Sequence, residues 1–227
     1  MRGVFITGTD TGIGKTWTSC ALLRGFAEAG LRSIGMKPVA SGASRTPDGL
    51  RNDDALALQR SASVALPYEW VNPYVFEPPI APHIAAAEAG VRIELETLLD
   101  AYAQLTGHAD VVVVEGVGGW MVPLGDELGL PDLARRLGLP VIMVVGMRLG
   151  CLNHALLTAR AIRDDGLRLA GWIANHIEAD FPRMKENMAA LRNRLTVPLL
   201  GEIPYLATAP GADSSAELAA AVRAVLD

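Results

Sequence analysis

Lys15 and Thr16 close a glycine-rich run, Gly8-Thr9-Asp10-Thr11-Gly12-Ile13-Gly14. An ammonium, a hydroxyl and flexible backbone in that order suit the gripping of phosphates. Glycines let main-chain N–H groups wrap an anion closely. A lysine there reaches the outer phosphates, and the hydroxyl after it ligates Mg²⁺. Val4-Phe5-Ile6 before the run reads as a strand, and Thr16 to Ala29 reads as a helix closed by Gly30. Strand, loop and helix in that order make a phosphate-binding P-loop. One spacing departs from the usual: Gly8 comes a residue early, and Thr9 stands where glycine is standard. A glycine-rich turn that merely precedes a lysine is the plain alternative.

Other candidates sit at strand ends. Only three of the 20 basic residues are lysines, Lys15, Lys37 and Lys185. A lysine kept in an arginine background suggests a place for a compact ammonium. Lys37 ends a second strand, Arg32 to Lys37, so it should share the P-loop's rim. A cation there could neutralise charge on a transferring phosphoryl group. Ser41 follows in the next loop. Glu115 ends the strand Val111-Val112-Val113-Val114 and precedes Gly116, Val117, Gly118 and Gly119. A buried carboxylate needs a cation, although a solvated strand-end acid remains the simpler reading. Asp53 and Asp54 open a helix, where acids ordinarily stabilise the dipole. With Thr16 and Glu115, one of them would complete an oxygen-only Mg²⁺ site. Gly146 to Gly150 leads into another helix start at Cys151 to Asn153, either a second anion site or an ordinary turn. His83, His108, His154 and His176 lack metal-like spacing.

Stepping outward, strands and helices alternate along the chain. Ser41 to Asn52 reads as a polar loop, and Val71 to Pro82, with four prolines, as an irregular excursion. Helices are expected at Asp53 to Ser61, Ile84 to Ala89, Glu94 to Gly107, Leu133 to Leu137, Cys151 to Asp164 and Pro182 to Leu195. Strands are expected at Pro140 to Val145, Leu169 to Ala174 and Val197 to Ile203. Ser214-Ser215-Ala216-Glu217 has the form of a capping box before a last helix. The pattern predicts an α/β fold: a doubly wound, mostly parallel sheet flanked by helices, in one domain over residues 1–227.

Half of the 227 residues are hydrophobic, enough for a substantial core, and the net charge is −5 without a basic cluster. Nucleic-acid binding is disfavoured. Cys20 and Cys151 read as reduced thiols. No apolar run approaches the roughly 20 residues of a membrane helix. A strand beginning within three residues leaves no room for a signal peptide, so a cytoplasmic protein is expected.

Six motifs in order resemble dethiobiotin synthase. They are the P-loop run, Lys37-Pro38-Val39-Ala40-Ser41-Gly42, Asn52-Asp53-Asp54-Ala55-Leu56, Val114-Glu115-Gly116-Val117-Gly118-Gly119, Leu149-Gly150-Cys151-Leu152-Asn153-His154 and Gly201-Glu202-Ile203-Pro204-Tyr205-Leu206. The early glycine is normal in that family. The resemblance implies a P-loop NTPase fold and an enzyme of biotin biosynthesis. It would join CO₂ to 7,8-diaminononanoate, close a cyclic urea and split ATP to ADP and phosphate. It implies Mg²⁺ on Thr16, Asp54 and Glu115, and catalytic roles for Lys37, Lys15 and Thr11. Ser41 and the Leu149, Gly150, Cys151, Leu152 and Asn153 turn would bind the diamine, the turn taking its distal carboxylate. That turn would come from a partner subunit, which implies a homodimer. Nucleotide contacts fall on Gly12, Ile13, Gly14, Lys15, Thr16, Trp17, Asp54, Glu115, Gly116, Val117 and Gly118, and on Asn175, His176, Pro204, Tyr205 and Leu206 at the base. Some relatives have an acid where this chain has Gly12, and Ala207 to Ser214 lacks a polar residue that some place near position 211.

Two other readings share the fold. A dimerising ATPase switch would carry a lysine where Asp10 stands, and would dock on membranes through a basic amphipathic tail. The final helix has a single cation, Arg223. An amidating ligase would need an attached glutaminase domain, for which there is no room.

Overall fold

The computed structural model describes residues 2–205 and 213–226. Leu206, most of the segment after it, and the Ser214 side chain of the expected capping box lie outside what is described.

Six strands form the central sheet: β1 (Arg2–Gly8), β2 (Ser33–Met36), β7 (Val111–Glu115), β8 (Val141–Met147), β9 (Leu169–His176) and β10 (Leu199–Ile203). Their order is β10-β9-β8-β1-β7-β2, and every neighbouring pair is parallel. The four-valine strand β7 is buried along its whole length, between β1 and β2. A strand covered on both faces has no polar side to show, hence its unbroken apolar run. Alternation still decides which way each residue faces. Val4, Ile6, Val113, Ile142 and Val144 pack with α1 (Lys15–Glu28) and α9 (Asp213–Leu226). Phe5, Val112, Val114, Met143 and Val145 pack on the other face with α5 (Leu95–Thr106), α6 (Leu130–Leu137) and α7 (Cys151–Asp164). The outermost strand, β10, pairs with β9 and is followed in the chain by α9. Helix α8 (Met184–Arg194) adds Met188 and Leu191 to the α7 side. Gly25 lets α9 approach α1, because a Cβ there would lie 2.2 Å from the Ser215 carbonyl oxygen.

Two expectations need correction. Residues 41–52 are not a loop. Strand β3 (Val39–Ser41) leads into a hairpin of β4 (Ala43–Thr46) and β5 (Gly49–Asn52), turning through Pro47, Asp48 and Gly49 at φ +102°. Most of the hairpin's side chains are exposed and polar, so it lacks the apolar alternation that marks a strand. Residues 71–82 are not wholly irregular either. After the short helix α3 (Tyr68–Val71), strand β6 (Tyr74–Phe76) pairs in parallel with β3. Pro82 then opens α4 (Pro82–Glu88), where a missing N–H does no harm. The helix α2 (Asp53–Ser61) forms as expected.

Candidate active site

The phosphate loop leaves β1 at Gly8 and enters α1 at Lys15. Gly12 (φ +72°) and Gly14 (φ +89°) hold left-handed backbone that other residues adopt only with strain. The loop is braced from the strands beside it. Thr9 N–H donates to Val144 O at 3.0 Å, and Asn175 Nδ2 donates to Ile13 O at 2.8 Å. Lys15 is buried and its ammonium folds back to Asp10 O at 2.8 Å. Burial, and then the nearby Lys37 charge, lower its pKa to about 8.

Lys37 follows β2 and is held by its own main chain. Its N–H donates to Val71 O, and its carbonyl accepts from Asn72 Nδ2, both at 2.7 Å. Tyr68 OH donates to Asn72 Oδ1 and accepts from Asn52 N–H, each at 2.8 Å. Asn52 Oδ1 caps α2 through Ala55 N–H at 3.2 Å, and its Nδ2 donates to Ser41 O and Gly42 O. One buried polar chain therefore positions Lys37, Ser41 and the start of α2, where Asp54 stands. Tyr68 and Asn72 were not foreseen. A buried polar residue reveals itself only when its partners are known. Asn52 was not read as a cap either, although an asparagine just before two acids carries that signal.

The charges converge on Glu115, which is fully buried at the end of β7. Its Oε1 accepts from Thr16 Oγ1 at 2.8 Å and from Lys37 Nζ at 2.6 Å. Lys37 also bridges to Asp54 Oδ2 and donates to Gly116 O, both at 3.2 Å. Burial alone would lower the Lys37 pKa, but Glu115 and Asp54 outweigh it and raise it. Burial alone would raise Asp54, but Lys37 and a bond from Thr16 lower it. Glu115 Oε2 is buried without a hydrogen-bond partner. Thr16, Asp54 and Glu115 offer only oxygen donors, two of them ionisable acids. With an unsatisfied oxygen among them, they fit a hard divalent cation such as Mg²⁺.

A cleft of about 760 Å³ opens over these groups. Thr11, Gly12, Gly14, Lys15 and Thr16 of the phosphate loop line it, together with Lys37, Ser41, Asp54 and Glu115. Val117, Gly118, Val122, Pro123 and the Pro79 to Pro82 segment complete the lining. Ser41 Oγ is buried there without a partner. Gly118, at φ +59°, stays small because a Cβ would meet Val122 at 2.8 Å and Thr11 Oγ1 at 3.5 Å. Gly116 supplies its carbonyl to Lys37, while Ile13 faces the core.

The remaining expected contacts stand apart from this cleft. Trp17 lies farther along α1. His176 bonds Glu202 at 2.8 Å, and Pro204 and Tyr205 follow β10 at the same end of the sheet. Asn175, expected at the base, is largely buried and braces the phosphate loop. The Leu149 to Asn153 turn sits on the same rim but does not line the cleft. Leu149 is 89% exposed, whereas the Cys151 side chain is buried in the core. Only the turn's backbone and its outer side chains could meet a ligand. Among the described residues no three His, Cys, Asp or Glu side chains cluster as a metal site.

A parallel sheet with a phosphate loop at its carboxyl rim and an acid ending the next strand defines a P-loop nucleotide-binding protein. The fold has solved counterparts. A chain of the MinC:MinD cell division protein complex of Aquifex aeolicus matches 99% of this chain and 96% of its own, at 16% identity and a TM-score of 0.62. A septum site-determining MinD from Pyrococcus horikoshii, complexed with Mg-ADP, matches 97% and 95%, at 19% identity and a TM-score of 0.59. At such identities the likeness shows the fold alone. Residues 2–211 match the AAA domain family AAA_26. The ATP-dependent dethiobiotin synthetase BioD of Xanthomonas euvesicatoria is 54% identical over 94% of both chains. That of Pseudomonas paraeruginosa is 54% identical over 96% of both. The chain belongs to the ATP-dependent dethiobiotin synthetase family and is an enzyme. Among the described residues no helix is long and apolar enough to cross a membrane.

Proposed function

We propose that this enzyme joins CO₂ to 7,8-diaminononanoate and closes the ring to dethiobiotin, splitting ATP to ADP and phosphate, as a cytoplasmic homodimer of single-domain subunits. The observation that carries the reading is the meeting of Lys15, Lys37, Thr16, Asp54 and Glu115 in one cleft, within a chain of this family.

One substrate amine adds to CO₂ and loses a proton, giving a carbamate. A carbamate oxygen attacks the γ-phosphorus and ADP leaves, giving a carbamic–phosphoric anhydride. The second amine attacks the carbamate carbon, and the ring closes as phosphate departs with the bonding pair. The amine's proton is released to solvent. Nothing in this scheme needs a protein nucleophile. The protein's tasks are placement and charge compensation.

The phosphate-loop N–H groups and Lys15 hold the triphosphate. Lys37, which lines the same cleft as Ser41, would turn toward the place where the carbamate and γ-phosphate meet and compensate the charge that grows there. Thr11 and Ser41 offer hydroxyls to the diamine and carbamate. Thr16, Asp54 and Glu115 would hold Mg²⁺, which draws charge from the phosphate oxygens. The start of α7 would take the distal carboxylate of a diamine seated mainly in the partner's cleft. This agrees with the exposure of Leu149 and with the turn's absence from the lining of its own cleft. Asn175, His176, Pro204 and Tyr205 would border the base.

The test supplies purified protein with the diamine, bicarbonate and MgATP, and follows dethiobiotin by mass spectrometry beside ADP. Dethiobiotin in step with ADP is expected. ADP release indifferent to the diamine would sink the reading.

A further inference from the structure

Asp10 lies in the phosphate loop, yet it is an acid in a place built for anions. Its Oδ1 accepts from Thr11 N–H at 2.7 Å, and its carbonyl oxygen accepts from Lys15 Nζ at 2.8 Å. Its Oδ2 is ion-paired with Arg148, which stands just past the carboxyl end of β8. One residue thus grips the phosphate-loop lysine with its main chain, while an arginine distant in sequence grips its side chain.

Two consequences follow from charge and geometry. An uncompensated carboxylate at Asp10 would repel the polyphosphate beside it; the Arg148 guanidinium cancels that charge. Arg148 also begins the tight turn into α7. Its carbonyl accepts from Cys151 N–H at 3.0 Å, and Gly150 makes the turn at φ +94°. Any shift of Asp10 as Lys15 leaves it for a phosphate is passed to Leu149 and Gly150 through one side chain and one short turn. The pair is partly exposed, 36% and 44% at its two side chains. In such a setting it contributes at most about 1 kcal/mol to folding. Stability is a poor reason for the pair, and its connection is the better one.

We propose that Arg148 is a positioning residue. Through Asp10 it sets Lys15 and Thr11, and it ties the phosphate loop to the Leu149 to Asn153 turn, so that nucleotide and diamine bind with mutual dependence. This rests on the reading that the turn receives the diamine's carboxylate. On the dimeric arrangement, nucleotide in one protomer then alters diamine affinity in its partner.

The experiment is calorimetric titration of the full-length protein with MgADP at several concentrations of 7,8-diaminononanoate, and the converse. Linkage requires the same coupling factor in both directions. The parent protein is expected to show at least about fivefold coupling. Arg148→Gln should bring the factor close to one and weaken MgADP roughly two- to fivefold. Adding Asp10→Asn to that variant should restore nucleotide affinity, since the repulsion is gone, but not the coupling. Arg148→Lys should retain coupling. Should Arg148→Gln not fold, Asp10→Asn alone severs the same link and must also abolish coupling. Coupling that survives loss of the pair, or that the parent lacks, overturns the role of Arg148 while both ligands still bind. A parent protein that binds no diamine overturns the functional reading itself.

Discussion

Lys37 Nζ lies 2.6 Å from Glu115 Oε1, and both side chains are buried. In this arrangement the ammonium occupies the charge-compensating place between Glu115 and Asp54 that a divalent cation would share. On the proposed mechanism Lys37 would turn from Glu115 toward the carbamate and γ-phosphate, so its move and the metal's arrival would be linked. Lys37→Gln removes the competitor. Mn²⁺ binding without nucleotide, read by electron paramagnetic resonance, should tighten at least about tenfold, while turnover falls roughly 10²–10³-fold. Unchanged Mn²⁺ affinity would remove the competition from the account.

Lys15 carries the pH prediction. Its pKa is lowered from 10.5 to about 8 in the folded protein. Between those values the unfolded chain holds a proton that the folded chain lacks, so stability should rise with pH across that window. Lys15→Met should abolish the rise and stabilise the protein at pH 7 by roughly 1–3 kcal/mol. Nucleotide binding has the opposite sign. Phosphate favours the charged lysine, so ADP should bind fully below pH 8, weaken above it and take up a proton near it. Denaturant melts and titrations in buffers of differing ionisation enthalpy measure both effects.

Gly14 and Gly12 should not respond alike. A Cβ on Gly14 would lie 2.1 Å from Asn175 Nδ2, at φ +89°. Gly14→Ala should therefore push Asn175 off Ile13 O and cost roughly 2–4 kcal/mol, with a large loss of nucleotide affinity. Gly12 has φ +72° but open space around it, so Gly12→Ala should cost only about 1–2 kcal/mol of backbone strain. Equal midpoint shifts in urea would refute this contrast.

Leu149 tests the proposed dimer. It is 89% exposed at the mouth of α7. Leu149→Asp should shift sedimentation from dimer toward monomer and raise KM for the diamine about tenfold or more, with ADP affinity little changed, because a charge at a buried interface is costly. A dimer of unchanged affinity for the diamine would exclude the turn from the site.

The sequence was most readable where a residue's task is local. Gly12, Gly14, Lys15 and Thr16 act through one loop, and Asp53 and Asp54 stand in the first turn of the helix they mark. Lys37 and Glu115 could be placed on one rim because strand ends of a parallel sheet meet there. Their direct bond could not be read, since it depends on β2 lying beside β7. The polar hairpin before α2 was missed because its side chains face water and leave no apolar period. Tyr68 and Asn72 were missed for the opposite reason: they are buried polar groups satisfied by residues that pattern cannot pair. The resemblance puts Asn175 at the base, but does not reveal that its amide steadies the phosphate loop from two strands away.

The sheet order has a consequence for synthesis. β1 is made well before its partners β7 and β8, Phe5 standing opposite Val114 on one side and Val141 on the other. It must therefore wait until the chain has reached β7 before either neighbour exists. Such distant pairing slows folding and leaves apolar edges open in the interval. The phosphate loop, braced by Val144 and Asn175, takes its shape later still. Nucleotide cannot template the early chain, and whatever shields the nascent β1 on the ribosome must act before ATP can.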